Sequence, residues 1–118
     1  MAFVDHFEPG KVIVDGAAYE QDVMIWQGDV MTWFRVDFDE LHEADLQFLL
    51  SQSAAEIIVG LGPAGNRVFL DDDTRAALAH WPSKIDFLGS EQAVAAFNAS
   101  GGEAALVLRV RTSAPFER

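Results

Sequence analysis

Residues 56–65 form the segment of this chain whose residue types and spacing most resemble a chemical site. Strand-forming residues 56–59 lead into Gly60-Leu61-Gly62-Pro63-Ala64-Gly65, which has the form G-x-G-x-x-G, and Asp86 follows 21 residues after the last glycine. In dinucleotide-binding domains such glycines bring the backbone close to a pyrophosphate, and an acidic residue about 20 positions further on binds the ribose. The segment therefore poses the question whether this protein is a cofactor-dependent enzyme.

The residues that follow the last glycine argue against that interpretation. A true fingerprint opens a helix whose free N–H groups hold the pyrophosphate. Here residues 66–70 are typical of extended chain, and helix signals begin only at residues 71–74, where Asp71, Asp72 and Asp73 would repel a phosphate. We interpret Gly60–Gly65 as a structural turn after a central strand, and we expect no cofactor.

Other catalytic and metal-binding patterns are equally weak. His6, His42 and His80 have no i, i+3 or i, i+4 spacing, so the helical zinc arrangements are excluded and we expect no metal site. The serines match neither G-x-S-x-G nor S-x-x-K, and Ser90 is better explained as a helix cap. No pair of carboxylates stands out. We identify no catalytic residue, and the sequence favours a protein that is not an enzyme.

A weaker hypothesis concerns the ends of the predicted strands. Ligands of open α/β sheets bind outside the carboxyl ends of the strands. The candidate pocket residues on this basis are Gly60, Leu61, Gly62 and Ser90, with Asn98 as a more distant polar group. Two interpretations stay open, a small-molecule or anion pocket and a set of well-packed turns, and we favour the turns.

The composition limits the classes of partner. The chain has 118 residues, no cysteine, 50% hydrophobic residues and a formal net charge of −11, a length and composition typical of one domain, residues 1–118. Such a charge would repel nucleic acid and anionic membranes, so we expect neither as a partner. The longest uncharged run has 11 residues, against about 18 for a membrane span. The first residues lack the basic region that begins a secretory signal, so we expect no such signal. We expect a cytoplasmic protein.

The order of predicted elements indicates an α/β fold. Strands are expected at residues 11–14, 18–26 and 30–34, with Asp15-Gly16 as a hairpin turn, so the chain opens with an antiparallel β meander. The period then changes, and helix, strand, helix, strand, helix and strand follow at residues 40–52, 57–60, 71–82, 84–88, 90–97 and 104–110. Alternating helices and strands favour parallel pairing, so the sheet should be mixed.

The order of landmarks resembles a known family. Those landmarks are His6-Phe7, Gly10-Lys11-Val12-Ile13-Val14, Gly16, Tyr19, Asp22-Val23, Val30, Trp33, Asp45-Leu46, Leu49-Leu50, Gly60-Leu61-Gly62, Ala93 and Phe97-Asn98. They are similar, over about residues 6–110, to the Mth-type domain of unknown function, whose eukaryotic members include a mitochondrial complex I assembly factor. The resemblance implies a three-layer α/β fold with a mixed central sheet and about three helices, and it implies no reaction.

Three departures from the family pattern bear on a pocket. Relatives tend to have threonine where this chain has Leu61, tyrosine where it has Phe97, and a glycine turn where it has Trp81-Pro82-Ser83. The first two substitutions remove hydroxyl groups, which weakens an enzymatic interpretation. We therefore predict a non-enzymatic protein-interaction or assembly module, with a homodimer as one form it could take. The alternative is a small-molecule or anion binder, or a minor enzyme, that uses the Gly60–Gly65 turn.

Overall fold

The computed structural model describes residues 2–35, 37–63 and 67–112. Within them the strands are β1 Val4–Glu8, β2 Lys11–Val14, β3 Ala17–Tyr19, β4 Val23–Trp26, β5 Asp29–Thr32, β6 Glu56–Gly60, β7 Lys84–Leu88 and β8 Ala105–Leu108. The helices are α1 Gln47–Ser51, α2 Asp72–Ala79 and α3 Ser90–Ala99, and a 3₁₀ helix, Glu43–Leu46, precedes α1.

Two sheets and the helices form three layers. Strands β1, β2 and β3 make one antiparallel sheet, and the second sheet has the order β5-β4-β8-β6-β7. In the second sheet β6 runs parallel to β7 and β8, whereas β4 is antiparallel to β5 and β8. The mixed central sheet predicted from the sequence is confirmed.

Each face of the central sheet buries its own apolar core. Strand residues alternate between faces, so neighbours such as Ile57 and Ile58 belong to different cores. The small sheet and α3 cover one face, through residues that include Val12 and Phe97. The 3₁₀ helix, α1 and α2 cover the other, through residues that include Leu49 and Leu78. The central sheet is therefore the middle layer.

The opening region differs from its prediction in three ways. Strand β1 lies before the first predicted strand. The predicted strand 18–26 is two strands, since the chain bends at residues 20–22 and passes from the small sheet to the central one. The predicted helix 40–52 is shorter and begins as a 3₁₀ turn, at which the Asp45 carboxylate accepts the N–H of His42 at 2.7 Å. The Asp15-Gly16 turn was predicted correctly, with φ of 49° and 84°.

The second half follows its prediction closely, with one correction at Ser90. Asp71 caps α2 by accepting the N–H of Thr74 at 2.7 Å. The cap residue of α3, however, is Gly89, and Ser90 is the first helical residue. The Ser90 hydroxyl instead donates to the carbonyl of Arg109 at 2.9 Å. This bond joins α3 to the residue after β8. Because the two partners are 19 residues apart, the local sequence around Ser90 does not predict it.

Candidate functional site

The glycine turn is a tightly bonded junction of β6, β7 and α3. The N–H of Leu61 donates to the carbonyl of Leu88 at 2.8 Å, and the N–H of Ser90 donates to the carbonyl of Gly62 at 2.9 Å. Gly62 has a φ of 130°, which suits glycine. The structure thus brings Gly60, Leu61, Gly62 and Ser90 together, while residues 64 and 65 of the motif lie outside the described residues.

The fifth predicted residue, Asn98, lies elsewhere. It is eight residues along α3 from Ser90, which is about 12 Å of helix. Its amide exchanges two hydrogen bonds with the backbone of Val4, at 3.0 and 2.9 Å, and so joins α3 to β1. Asp86, the acidic residue of the apparent fingerprint, lies within β7 opposite Ile58. No helix begins at Arg67, Val68 or Phe69, and Phe69 instead makes a parallel bridge to Glu40.

Close to this turn, the chain after β8 buries an arginine. The N–H of Arg109 donates to the carbonyl of Gly60 at 2.9 Å, which continues the β6–β8 ladder. Its side chain is directed into the fold, and the residue is only 1% exposed. The guanidinium carbon lies 4.4 Å from the centre of the Phe38 ring, and Nε donates to the carbonyl of Arg111 at 3.1 Å. A buried cation of this kind is costly unless it is paired.

A second buried guanidinium, that of Arg35, lies against the same ring. Its carbon is 5.5 Å from the centre of Phe38 and 5.2 Å from that of Trp33, and the side chain is 3% exposed. Nη2 donates to the Asp22 carboxylate at 2.8 Å, and Nη1 donates to the carbonyls of Asp37 and Phe38. Its Nε is buried and has no hydrogen-bond partner among the described residues. One donor is therefore unused.

The carboxylate of Asp22 forms an ion pair with Arg35, and its charge also acts on Arg109. One oxygen accepts Nη2 of Arg35, and the other accepts the N–H groups of Val110 and Arg111 at 2.8 and 3.0 Å. Asp22 thus accepts three hydrogen bonds, and among the described residues its salt bridge is the one with Arg35. We call Asp22, Arg35, Phe38 and Arg109 the arginine site.

Burial and the neighbouring charges both act on the Arg109 guanidinium. Burial lowers the pKa of the Arg109 guanidinium, the charge of Arg35 lowers it further, and Asp22 and Asp39 oppose both effects without cancelling them. Among the described residues, the salt bridges are His6–Glu8, Asp22–Arg35 and Glu56–Lys84, so Arg109 belongs to none of them. An anion beside Arg109 would favour the charged form of its guanidinium.

Two further features lie near the site or beside the sheet. Asp37, Glu40 and His42 place one ligand atom each within 4.8 Å of one another, an arrangement that offers oxygen and nitrogen donors to a cation. A cleft of about 210 Å³ lies between α2 and the edge strand β7. The lining residues of this cleft are Arg75, Leu78, Ala79, Ser83, Ile85 and Phe87.

Sequence reasoning missed Asp22, Arg35 and Arg109 as a group. Arg35 lies 13 residues after Asp22 and Arg109 lies 87 residues after it, so no local spacing brings them together. A signal was nevertheless present, because Arg109 interrupts an otherwise apolar run that was predicted to be a buried strand. A charged residue within a buried strand is almost never fully buried unless other groups pair with it.

Comparison with known proteins now gives the family. The profile of a family of proteins of unknown function, DUF498/DUF598, matches residues 4–109. The chain belongs to this family. The resemblance to Mth-type domains predicted from the sequence is confirmed by this match and by the solved structure of a Bordetella pertussis protein described as an Mth938-like domain.

Solved structures share the fold at low sequence identity. The Bordetella pertussis protein is 15% identical, with a TM-score of 0.60 over 92% of this chain and 85% of that one. A conserved hypothetical protein of Pyrococcus horikoshii is 15% identical, with a TM-score of 0.76 over 92% and 98%. An outer membrane protein of Bartonella henselae is 16% identical, with a TM-score of 0.74 over 93% and 95%.

The comparisons assign no reaction to this chain. No curated protein matches this chain. Within the described part of the DUF498/DUF598 chain, no helix has both the length and the apolar character needed to cross a bilayer. The cytoplasmic location stays a prediction from the sequence.

Proposed function

We propose that this DUF498/DUF598 protein is a non-enzymatic binding module that takes a small oxyanion, a carboxylate or a phosphate, at the arginine site. The observation that supports this most directly is Arg109, a buried guanidinium that forms no salt bridge among the described residues. The proposal keeps the anion-binding alternative of the sequence analysis and moves it from the glycine turn to the arginines.

The chemistry of the two guanidiniums suits an oxyanion. A guanidinium is planar and offers a fork of N–H donors that matches the two oxygens of a carboxylate or phosphate. Arg35 already uses its terminal nitrogens on Asp22 and on two carbonyls, and its buried Nε is unused. The unused Nε of Arg35 would donate to the anion, and Arg109 would add its charge and its fork of N–H donors at close range.

Phe38 controls access to this site. Its partly exposed ring lies over both guanidiniums, 4.4 Å from Arg109 and 5.5 Å from Arg35. An anion that reaches Arg109 must therefore displace the ring or enter beside it. Trp33 is a convenient reporter, because its ring lies against Arg35 and its indole N–H donates to the carbonyl of Asp45 at 2.9 Å.

The test is a titration with small carboxylates and inorganic phosphate, followed by calorimetry and by the NMR signals of the indole N–H groups. We expect the Trp33 signal to move, and the signal of Trp81, which donates to Glu43, to stay in place. Arg109→Lys keeps the charge and removes the fork, so affinity should fall about 10-fold or more, the equivalent of one charge-assisted hydrogen bond.

Arg75→Lys is the matched control, since Arg75 lies in the cleft beside α2. It should leave anion affinity unchanged. The proposal is wrong if no anion in the series moves the Trp33 signal, or if Arg109→Lys binds as tightly as the wild type. Thermal stability of each variant, measured without ligand, separates lost binding from lost folding.

A second candidate, a protein-interaction or assembly module, is favoured by exposed phenylalanines near the arginine site. Phe34 is 83% exposed and directly precedes Arg35, and Phe69 is 59% exposed and donates its N–H to the carbonyl of Asp39. Aromatic rings of this kind anchor protein interfaces. Affinity capture with the wild type and with Phe34→Ser/Phe69→Ser tests this candidate: proteins retained equally by both would count against it.

A further inference from the structure

Strand β7 forms one edge of the central sheet and has a partner on one side only. Within the described residues it pairs with β6, and the sheet ends there. Its residues Ile85, Phe87 and Leu88 are apolar and only partly buried. An edge with apolar side chains is a ready template for another strand, and proteins usually protect such edges.

The free backbone groups of β7 can be assigned from its bonds. The N–H of Lys84 donates to Ala55 at 2.9 Å, and the carbonyl of Leu88 accepts Leu61 at 2.8 Å, so both residues direct their backbone groups toward β6. Because direction alternates along a strand, Asp86 also faces β6. Ile85 and Phe87 therefore present their N–H and C=O groups outward.

We propose that β7 pairs with β7 of a second copy of this chain, in an antiparallel arrangement about a two-fold axis at Ile85. Ile85 then forms a hydrogen-bonded pair with Ile85 of the second copy, and Phe87 lies opposite Ser83 of that copy. The two central sheets become one continuous sheet. This surface is separate from the arginine site, so the two proposals stand independently.

Charge selects this register over its neighbours. With the axis at Ile85, Lys84 lies opposite Asp86 of the second copy, and the symmetry repeats the ion pair. With the axis at Asp86, the two Asp86 carboxylates would face each other directly, which is unfavourable. An axis at Phe87 would place Asp86 opposite Leu88 and form no ion pair. The sequence Lys84-Ile85-Asp86 is thus complementary to itself.

This self-complementarity points to a second copy rather than to an unrelated strand. A two-fold interface uses the same patch twice, so each favourable pair counts twice. The local balance of Lys84 and Asp86 also matters in a chain with a formal net charge of −11, because an interface rich in acid would repel its own copy.

The cleft beside β7 would add apolar contact to the strand pairing. Ile85 and Phe87 lie on the α2 side of the sheet, with Leu78 behind them. A two-fold axis perpendicular to the sheet places both clefts on the same side of the joined sheet. Each α2 helix then flanks the axis, and the partly exposed Ile85 and Phe87 side chains that line the clefts lose contact with water.

A charge-swap series measured by sedimentation equilibrium tests the proposal. We expect the wild type to be dimeric at tens of micromolar, and Lys84→Asp or Asp86→Lys to raise the dimer dissociation constant at least 10-fold, because each places like charges opposite each other. The double variant Lys84→Asp/Asp86→Lys restores opposite charges and should recover the dimer. This recovery distinguishes the proposed register from general damage to β7.

Two controls complete the series. Glu103→Lys repeats the charge change of Asp86→Lys at an exposed site away from β7, and Glu56→Gln removes the 3.8 Å contact between Lys84 and Glu56. Both should stay dimeric, and circular dichroism should show each variant folded. A wild type that is monomeric at all concentrations up to about 0.5 mM would overturn the proposal. So would a folded double variant that dissociates as readily as the single ones.

Discussion

Asp22 illustrates how much one residue can hold in this structure. Its two oxygens accept three donors, from Arg35 and from the backbone of Val110 and Arg111, 13 to 89 residues away in sequence. It therefore neutralises a buried cation and fixes the chain after β8 at the same time. The negative charge of Asp22 strengthens the hydrogen bonds that give both functions.

We expect Asp22→Asn to destabilise the protein by about 3–5 kcal/mol, because the change leaves the buried Arg35 without its counter-charge. Urea unfolding followed by circular dichroism measures the loss. Asp29→Asn is the matched control, since Asp29 is exposed, and it should change the unfolding free energy by less than about 0.5 kcal/mol. Equal midpoints for the two variants would contradict this account of Asp22.

The sequence predicted the glycine turn better than the arginine site. Gly60 and Gly62 lie where the pattern placed them, because turns depend on neighbouring residues. The contacts of Asp22, Arg35 and Arg109 depend on how distant strands pair, and no spacing in the sequence contains that information. A local sequence pattern therefore could not predict the residues of the proposed anion site.

At the level of elements, Gly60 explains why β8 and α3 approach β6 so closely. A Cβ on Gly60 would lie 2.6 Å from Cδ1 of Leu108, 3.2 Å from Cβ of Ala93 and 3.3 Å from Cα of Ser90. The glycine that suggested a nucleotide motif is thus required by packing between three elements. The glycine keeps the strand and helix in contact.

We expect Gly60→Ala to cost about 1–3 kcal/mol, since the added methyl group overfills a closely packed region. Gly89→Ala is the comparison: there the new Cβ would meet chiefly the Arg67 guanidinium, the far end of a flexible side chain that can move. Thermal unfolding of both variants should show the larger loss for Gly60→Ala. The reverse order would show that the packing argument is wrong.

The helix cap of α2 gives a pH-dependent prediction. The hydrogen bond from the Thr74 N–H lowers the pKa of Asp71 below its ordinary value of 3.8. The ionised cap therefore stabilises the folded state above that value, and the stabilisation is lost as pH falls through the lowered pKa. Asp71→Ala should be less stable than the wild type at neutral pH, and the two urea midpoints should converge in acid.

Asp71→Asn serves as the control for that experiment, because asparagine caps a helix as well as aspartate but does not titrate. Its difference from Asp71→Ala should persist in acid. The difference in urea midpoint between the wild type and Asp71→Ala should therefore shrink in acid. If it stays constant from neutral pH to well below pH 3.8, the cap is not its source.

The elements of the second half were predicted in the right order and to within about three residues at their ends, and those of the first half were not. The second half alternates short apolar strands with helices of eight and ten residues, and the change of period marks each element. The first half consists of strands of three to five residues, and its chain crosses from one sheet to the other after Tyr19. Which sheet a short strand joins is decided by tertiary contacts.

For the whole molecule, the acidic charge should set the response to salt. The formal net charge of −11 repels itself in the compact state, and added salt screens charges at the surface. The Asp22–Arg35 pair is almost fully buried and is screened much less. We expect the melting temperature to rise between about 20 mM and 500 mM sodium chloride.

The same scan with potassium chloride should give the same curve, since screening depends on ionic strength. A melting temperature that falls with salt would show that ion pairs contribute more to stability than net repulsion costs. The measurement should use a concentration at which the oligomeric state is known, because association also shifts the melting temperature.

The position of β8 has a consequence for how the protein is made. Strand β8, residues Ala105–Leu108, lies between β4 and β6, although it comes last among the described strands. On the ribosome, the β4–β5 pair and the β6–β7 pair therefore emerge before the strand that joins them, and the edges of β4 and β6 stay unpaired until β8 follows. Folding of the central sheet during synthesis thus waits for β8, and chains shortened before β8 should aggregate rather than fold.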